Sequence, residues 1–504
     1  MTCRVIGDGD LQRRLAKRLV DEAARKGYTL TKRALELLES VEDPVEALNK
    51  VIKRIQTLKT NSTIVDVADV ERVIEFSRAP QKVEAATEAA AEPPPEFDVV
   101  VDERFTAEYR IKGAINEFQA YFRSRYEKLK RIFEERIRGL MDLKSLLKLR
   151  EGQEAYAAVM LFERRESERA IFLTVDDPTA EATIIVPKTG NEKLFHAAER
   201  LLPDSIFAVK VCKRGESFIA REILLPDVPS SGSQESWPSG DVNICLISDL
   251  HVGSKKFRRD LFERFLDWIN RTRDAEVKRI RFLVIAGDLV DGVGVYPNQH
   301  NELEITSITQ QFEEVAKLIA EIPPDIKVII APGNHEPIQR ALPQPPLSDE
   351  YRMVLEKSGR DLIFVGNPAW LRIGNRLLLV YHGQGLDDVI QLIPGLSHSN
   401  LEEKIGELLE IMLKHRHLCP VYGESTPILP LKEDLLIIDK IPSILHVGHV
   451  HVAHAGTYRG IRLINTGTWQ EQTNYQRSMG LNPTVGVAAV IDLRDLSIRI
   501  KQFM

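Results

Sequence analysis

The stretch DVNICLISDLHVGS, residues 241–254, decides the fold: VNICLIS reads as a strand and SDLHVG as the polar, glycine-containing turn at its end. The same unit then repeats. A helix near FRRDLFERFLDWINR leads to a second strand, IRFLVIAG, and a helix near TQQFEEVAKLIAEI leads to a third, IKVIIAPG. Strands alternating with helices predict a sheet flanked by helices, with functional groups at the strand ends. RLINTGTW, GVAAVIDL and SIRIKQF, in roughly the last 60 residues, read as further strands and predict a second sheet packed on the first. One domain is therefore expected over 241–504.

Ahead of it, Pro226, Pro229 and SSGSQESWPSG mark an exposed connector over 230–240. Residues 151–229 carry five strand-like runs (AYAAVMLF, AIFLTVDD, ATIIVP, SIFAVKV and SFIAREILL), with one helix-like piece, KLFHAAERLL, after the third. That order matches a small Greek-key barrel of the oligonucleotide-binding type, although other small barrels also have five strands. Residues 98–150 read as a helical segment leading into the barrel. From 102 to 150 there are 13 Arg/Lys against 8 Asp/Glu, interleaved with Tyr109, Phe118, Tyr121, Phe122, Tyr126 and Phe133. Such a stretch can bind single-stranded nucleic acid, or it can be an amphipathic helix with its rings in the core and its charges in water. APQKVEAATEAAAEPPPE, within 79–97, has no apolar periodicity and predicts a disordered tether. Helical spacing in LQRRLAKRLVDEAARKG and KRALELLESV, broken at Gly27 and Pro44, predicts a small helical domain over 1–78.

Composition sets the limits of this multidomain α/β chain. Its 504 residues have a net charge of −6, 43% hydrophobic and 28% charged residues, an ordinary globular balance that excludes collagen-like, wholly disordered and membrane classes. No apolar run is long enough to span a membrane and MTCRVIGDGD lacks a secretion signal, so a cytosolic protein is expected. Cys3, Cys212, Cys245 and Cys419 form no CxxC pair, so metal binding must rest on His, Asp, Glu or Asn. The twelve histidines are unevenly placed: only His196 precedes residue 250, and eleven fall between His251 and His454.

Five polar clusters end successive apolar runs: SDLHVG with Asp249 and His251, GDLVDG with Asp288 and Asp291, GNHE with Asn334 and His335, YHG with His382, and HVGHVH with His446, His449 and His451. In extended chain, residues two apart point the same way, so Asp249 with His251, and His449 with His451, can each aim two ligands into one cleft. Glycines at 253, 287, 292, 333, 383 and 448 permit tight turns there. Asp291 reads either as a residue set behind the ligands or as a carboxylate capping the next turn. His446 reads as a packed neighbour, and His300, His398, His415, His417 and His454 as surface or loop residues.

The order of these clusters resembles the calcineurin-like metallophosphoesterase superfamily, whose motifs DxH, GDxxD, GNH, H and GHxH all occur here in sequence. The resemblance implies a four-layer α/β/β/α domain in which Asp249, His251, Asp288 and His451 hold one divalent ion. Asp288, Asn334, His382 and His449 would hold a second, and His335 would be the catalytic histidine. Only two carboxylates, Asp249 and Asp288, then answer two dications, leaving about +2 of formal charge for a phosphodiester and its transition state. Such ions acidify a water and stabilise the developing charge. Mixed imidazole, carboxylate and amide ligands favour Mn²⁺, Fe²⁺ or Zn²⁺ over Mg²⁺, which prefers oxygen and water, and manganese is the ion expected in an assay.

The superfamily leaves protein phosphatase, nucleotide phosphodiesterase and nuclease open. The domain order narrows this: a helical module, a tether, a barrel and a phosphoesterase domain resemble the small subunit of archaeal family-D DNA polymerase. ALPQPPLSDE (341–350), YGESTPILP (422–430) and LINTGTWQEQT (463–473) look like that family's text. The resemblance implies a 3′–5′ exonuclease that proofreads single-stranded 3′ primer ends in DNA replication. Its partner would be a separate large catalytic subunit, in a heterodimeric, multifunctional enzyme of the archaeal cytoplasm and nucleoid. A catalytically silent structural subunit and an independent phosphodiesterase or phosphatase are the alternatives.

Overall fold

Apolar side chains at helical spacing fold the first of two units, Met1–Glu92, around Leu19, Ala23, Ala34, Leu38, Leu48 and Val51. In the computed structural model, which describes residues 8–39, 44–57, 64–65, 70, 98–107, 109–230, 241–271 and 274–504, this unit holds helices α1 (Asp8–Arg25), α2 (Lys32–Glu39) and α3 (Pro44–Thr57). Pro44 begins α3, where its missing N–H costs nothing. Beside the helices, β1 (Thr29–Leu30) and β2 (Ile64–Val65) pair in parallel, which helical spacing alone does not anticipate. The expected tether over 79–97 and the connector beyond Ser230 lie outside the described residues, except for the first connector residue.

The second unit, Pro93–Met504, contains a barrel and a two-sheet sandwich. Strands β4 (Glu154–Glu166), β5 (Ala170–Asp177), β6 (Ala180–Pro187), β7 (Ile206–Arg214) and β8 (Ser217–Leu224) close in the order β4-β5-β6-β8-β7, with helix α5 (Glu192–Glu199) between β6 and β7. Their inward residues, among them Val159, Leu161, Leu173, Val209 and Phe218, fill the interior.

The first sheet of the sandwich is built on β9 (Asn243–Ile247), β10 (Ile280–Ala286), β11 (Lys327–Ala331) and β12 (Leu362–Phe364), all parallel. The second contains β13 (Ala369–Ile373), β14 (Arg376–Tyr381), β15 (Ile444–Val447), β16 (His454–Tyr458) and β17 (Ile461–Asn465), in the order β16-β17-β15-β14-β13. Alternation along each strand sorts the side chains. Ile244 and Leu246 face the second sheet's Leu371, Leu378 and Val380. Cys245 and Ile247 face outward, into a layer that includes helices α6 (Arg259–Ile269), α7 (Ile308–Ala320) and α8 (Asp349–Glu356). On the far side, Leu379, Tyr381 and Val447 pack under α9 (Leu386–Leu392) and α10 (Leu401–His415). Helices thus cover both outer faces.

Two expectations need correction. GVAAVIDL and SIRIKQF form β18 (Val487–Asp492) and β19 (Ile498–Gln502), but these join the first sheet, antiparallel beside β9, and not the second. Hydrophobic runs identify a strand; its sheet is set by pairing. The segment 98–150 is also not all helical: β3 (Val99–Val101) pairs with β13 and forms an edge of the second sheet. Helix α4 (Ile115–Arg136) follows, and Tyr121, Tyr126 and Phe133 are buried in it, so these rings are spent on packing. The amphipathic reading holds.

Helix α4 also carries Arg125, 1% exposed, whose Nε donates to Asp434 Oδ2 at 2.8 Å. His415 and His417, expected at the surface, are buried, and His417 Nε2 donates to the same Asp434 oxygen at 2.9 Å. Among the described residues, no helix is long and apolar enough to cross a membrane.

Candidate metal centre

The site grows from loops that prolong the parallel strands. Past β9 and β10 the chains remain in register: Asp249 N–H donates to Gly287 O, His251 N–H to Asp288 O and Val252 N–H to Leu289 O, each at 3.0 Å. These loops are not extended. Asp249, His251, Asp288, His449 and His451 all have positive φ, between 52° and 69°. In the pairs 249/251 and 449/451 it is left-handed backbone, and not the expected extended chain, that turns both side chains of each pair inward. Such backbone costs about 1–3 kcal/mol per residue and persists only where its surroundings enforce it. Close approach enforces part of it, since a Cβ on Gly448 would sit 2.5 Å from Asp249 Oδ2 and one on Gly333 would collide with Asp288 Oδ1.

All seven expected ligands converge. Donor atoms of Asp249, His251 and His451 lie within 4.8 Å of one another, and so do those of Asp288, His382 and His449. Asp288 Oδ2 belongs to both neighbourhoods, 3.3 Å from His382 Nε2 and 3.6 Å from His251 Nε2. Asn334 Oδ1 lies 2.9 Å from His382 Nε2 and 3.0 Å from His449 Nδ1. His251 Nε2 and His451 Nε2 face each other at 3.1 Å.

The far ring nitrogens fix which atom points inward. His382 Nδ1–H donates to Ala286 O at 2.8 Å, and His449 Nε2–H donates to Asp387 Oδ2 at 2.9 Å. His251 Nδ1 is 3.1 Å from Asp291 Oδ1, so the Asp291 carboxylate sits behind the His251 ring. Inward-facing imidazole nitrogens therefore meet carboxylate and amide oxygens, and a proton or a cation must sit among them. The donor set fits two divalent ions.

Charge follows the same pattern. Burial opposes a proton on His382, yet Asp288 and Asp249 carry it up to about 10. Burial is likewise overcome at His251 by Asp291 and Asp288, which raise it to about 9. Asp288, though fully buried, is held well below the usual carboxylate range by His382, His335 and His251. His335 lines the cleft above them: its backbone N–H donates to Asp288 Oδ1 at 2.9 Å, its Nδ1–H donates to Asp291 O at 2.6 Å, and burial lowers its pKa. The cleft has a volume of about 330 Å³, and no Lys or Arg lines it among the described residues.

Several residues that sequence reading passed over support this site. Asp387 links His449 to His398, whose Nε2 lies 3.1 Å from its other oxygen, so His398 is part of the cleft wall and not a loop bystander. Glu336 accepts from the N–H groups of Asp288, Leu289 and Gly333; burial, then the charge of Asp288, push its pKa up to about 7. Gln470 donates to Asp291 Oδ1 at 2.9 Å. An acidic residue in a helix's first turn, as Asp387 is in α9, reads as a capping charge, so no sequence signal marks it. His446 is buried as expected, near Thr466.

Residues 244–456 match the family model for the B-subunit of DNA polymerases alpha and epsilon. Over 483 residues the chain is 33% identical to the DNA polymerase II small subunit of Methanothermobacter thermautotrophicus, covering 94% of this chain and 97% of that protein. It is 36% identical over 393 residues to the DNA polymerase II small subunit of Pyrococcus horikoshii, covering 76% of this chain but only 62% of that longer protein. The chain belongs to the family of archaeal DNA polymerase II small subunits. Among solved structures, an archaeal phosphodiesterase aligns with 52% of this chain and 99% of its own, at 12% identity and a TM-score of 0.25, too loosely to bear on function.

Proposed function

We propose that the chain is a two-metal-dependent phosphodiesterase, the 3′–5′ exonuclease of a replicative DNA polymerase, and that it also scaffolds a separate large catalytic subunit in the archaeal cytoplasm. One observation carries the reading. Asp288 Oδ2 stands between His251 Nε2 and His382 Nε2 in a cleft that no Lys or Arg lines among the described residues. Asp249, His251, Asp288 and His451 would hold one ion and Asp288, Asn334, His382 and His449 the other. These ligands suit Mn²⁺, Fe²⁺ or Zn²⁺ better than Mg²⁺, and Mn²⁺ is the ion expected to support activity in an assay. When bound, such ions supply Lewis acidity and acidify the attacking water.

The chain's own residues do the rest. Asp291 and Asp387 hold the His251 and His449 rings in the tautomers that face inward. His335, anchored through Nδ1–H, offers Nε2 to the cleft and would stabilise or protonate the leaving 3′ oxygen. The closed barrel would guide single-stranded DNA as an oligonucleotide-binding module. The relatives' name, small subunit, supports the large-subunit partner.

The test is degradation of 5′-labelled single-stranded and mismatched-primer DNA with Mn²⁺, by the purified chain alone and with the large subunit. Stepwise shortening from the 3′ end is expected. No degradation in either case would leave a silent structural subunit, and a preference for cyclic nucleotides or phosphopeptides would leave an independent phosphodiesterase or phosphatase.

A further inference from the structure

The cleft has two chemistries. Its floor is polar, made by His251, Asp288, Asn334, His335, His449 and His451, whereas the half-buried Val295 and Tyr296 and the exposed Tyr475 line its more open part. Tyr475 is 69% exposed; among the described Phe, Tyr and Trp residues, the only other ring so open to solvent is Phe162, on the barrel.

An exposed ring is ordinarily mobile, but this one is carried on a braced turn, the short helix Asn474–Ser478. Thr473 Oγ1 accepts from Gln476 N–H at 3.2 Å, and Gln476 Oε1 accepts from Thr473 N–H at 3.0 Å. The Gln476 side-chain nitrogen lies 2.6 Å from His451 Nδ1, so the turn is fastened to a proposed ligand. Asn474 donates to Glu302 at 3.2 Å on the other side. An exposed aromatic side chain that lines the cleft is thus carried on a turn tied to one of the proposed ligands.

We infer that Tyr475 is a stacking platform for the base of the nucleotide being removed, and that it selects unpaired over paired DNA ends. The inference rests on the DNA-end reading above. Every base offers a π-face, so such a platform is indifferent to sequence, and removing one typically weakens binding roughly 10- to 100-fold. Within a duplex, neighbouring pairs cover both faces of a base. A mismatched terminal base leaves the stack at least cost and is the one that can reach the ring. With the phosphodiester on the floor and its base on the rim, Tyr475 converts loss of pairing into binding energy.

The test uses the full chain with Mn²⁺ on two single-stranded oligonucleotides that differ only in whether the 3′-terminal nucleotide carries a base or is abasic. Matched and mismatched duplex ends are assayed beside them. Tyr475→Ala should raise KM for the base-bearing end roughly 10-fold or more, to the level of the abasic end, with kcat held and the preference for mismatched ends reduced. Tyr475→Phe should restore both. An unchanged KM in Tyr475→Ala, or an equal rise on the abasic end, would overturn the platform while leaving the nuclease reading intact. Failure of the unsubstituted chain to cleave either oligonucleotide would instead remove the nuclease reading, and the platform with it.

Discussion

Two clusters in the second unit bury carboxylates against histidines, and they differ in what completes them. Around Asp434, 0% exposed, the protein provides its own cation: Arg125 Nε donates at 2.8 Å, and the remaining guanidinium N–H groups reach Pro420 O, Asp204 O and the Tyr121 hydroxyl. His417 is neutral there, burial and Arg125 pushing it down to about 4. In the cleft the residue types are the same, but no guanidinium or ammonium joins them. Two imidazole nitrogens face each other at 3.1 Å, and one amide oxygen faces two imidazoles. The lesson is that a buried Asp–His cluster becomes a metal-site candidate when its geometry requires a positive charge that no Arg or Lys supplies, so that only protons or metal ions can meet it. Burial alone does not separate the two.

The largest expected effect is at the shared carboxylate. Asp288→Asn should strip both ions and lower end hydrolysis roughly 10⁴-fold or more, with elemental analysis as the check. One ion fully retained would break the bridging role. His335→Ala should keep the metal content and cost roughly 10²- to 10⁴-fold in turnover; undiminished turnover would take His335 out of the mechanism. Arg125→Ala reverses the contrast, since it leaves Asp434 as an uncompensated buried charge. It should cost about 3–5 kcal/mol in denaturant unfolding while metal content stays as it was. Asp387→Ala, which frees the far nitrogen of His449, should weaken Mn²⁺ binding roughly 10- to 100-fold.

The smallest effect concerns protons. His251 and His382 are raised to about 9 and about 10 by the carboxylates, so at neutral pH a cation must displace their protons. Apparent Mn²⁺ affinity should therefore climb with pH and level off only near those values. Proton release should be visible by calorimetry in buffers of different ionisation heat. A pH-independent affinity would show that the two histidines are not ligands.

Some of this was legible and some was not, for physical reasons. Asp249, His251, Asp288, Asn334, His335, His382, His449 and His451 stood out because each follows an apolar run and sits beside a glycine or in a glycine-containing turn. Sequence spacing misassigned the cause of their convergence, because left-handed backbone at Asp249 or His451 leaves no compositional trace. Asp387 and Glu336 were hidden by chemistry that resembles ordinary helix capping and loop polarity. Arg125 and Asp434 are 309 residues apart, and nothing local in either stretch announces the other. GVAAVIDL was legible as a strand but not as a neighbour of β9, because either sheet would bury it equally well.

Strand β3 carries a consequence for how the chain can be cut. Val99, Val100 and Val101 pair with Ile373, Arg372 and Leu371, so the sandwich begins before the barrel and resumes after it. The barrel is in effect an insertion between two parts of one sheet. A fragment starting near residue 241 would keep every proposed ligand but expose the backbone of β13 as a raw edge, open to pairing with another molecule. Such a fragment should associate or precipitate where a fragment starting near residue 98 stays dispersed. The smallest self-contained piece that carries the site therefore extends far upstream of its first ligand.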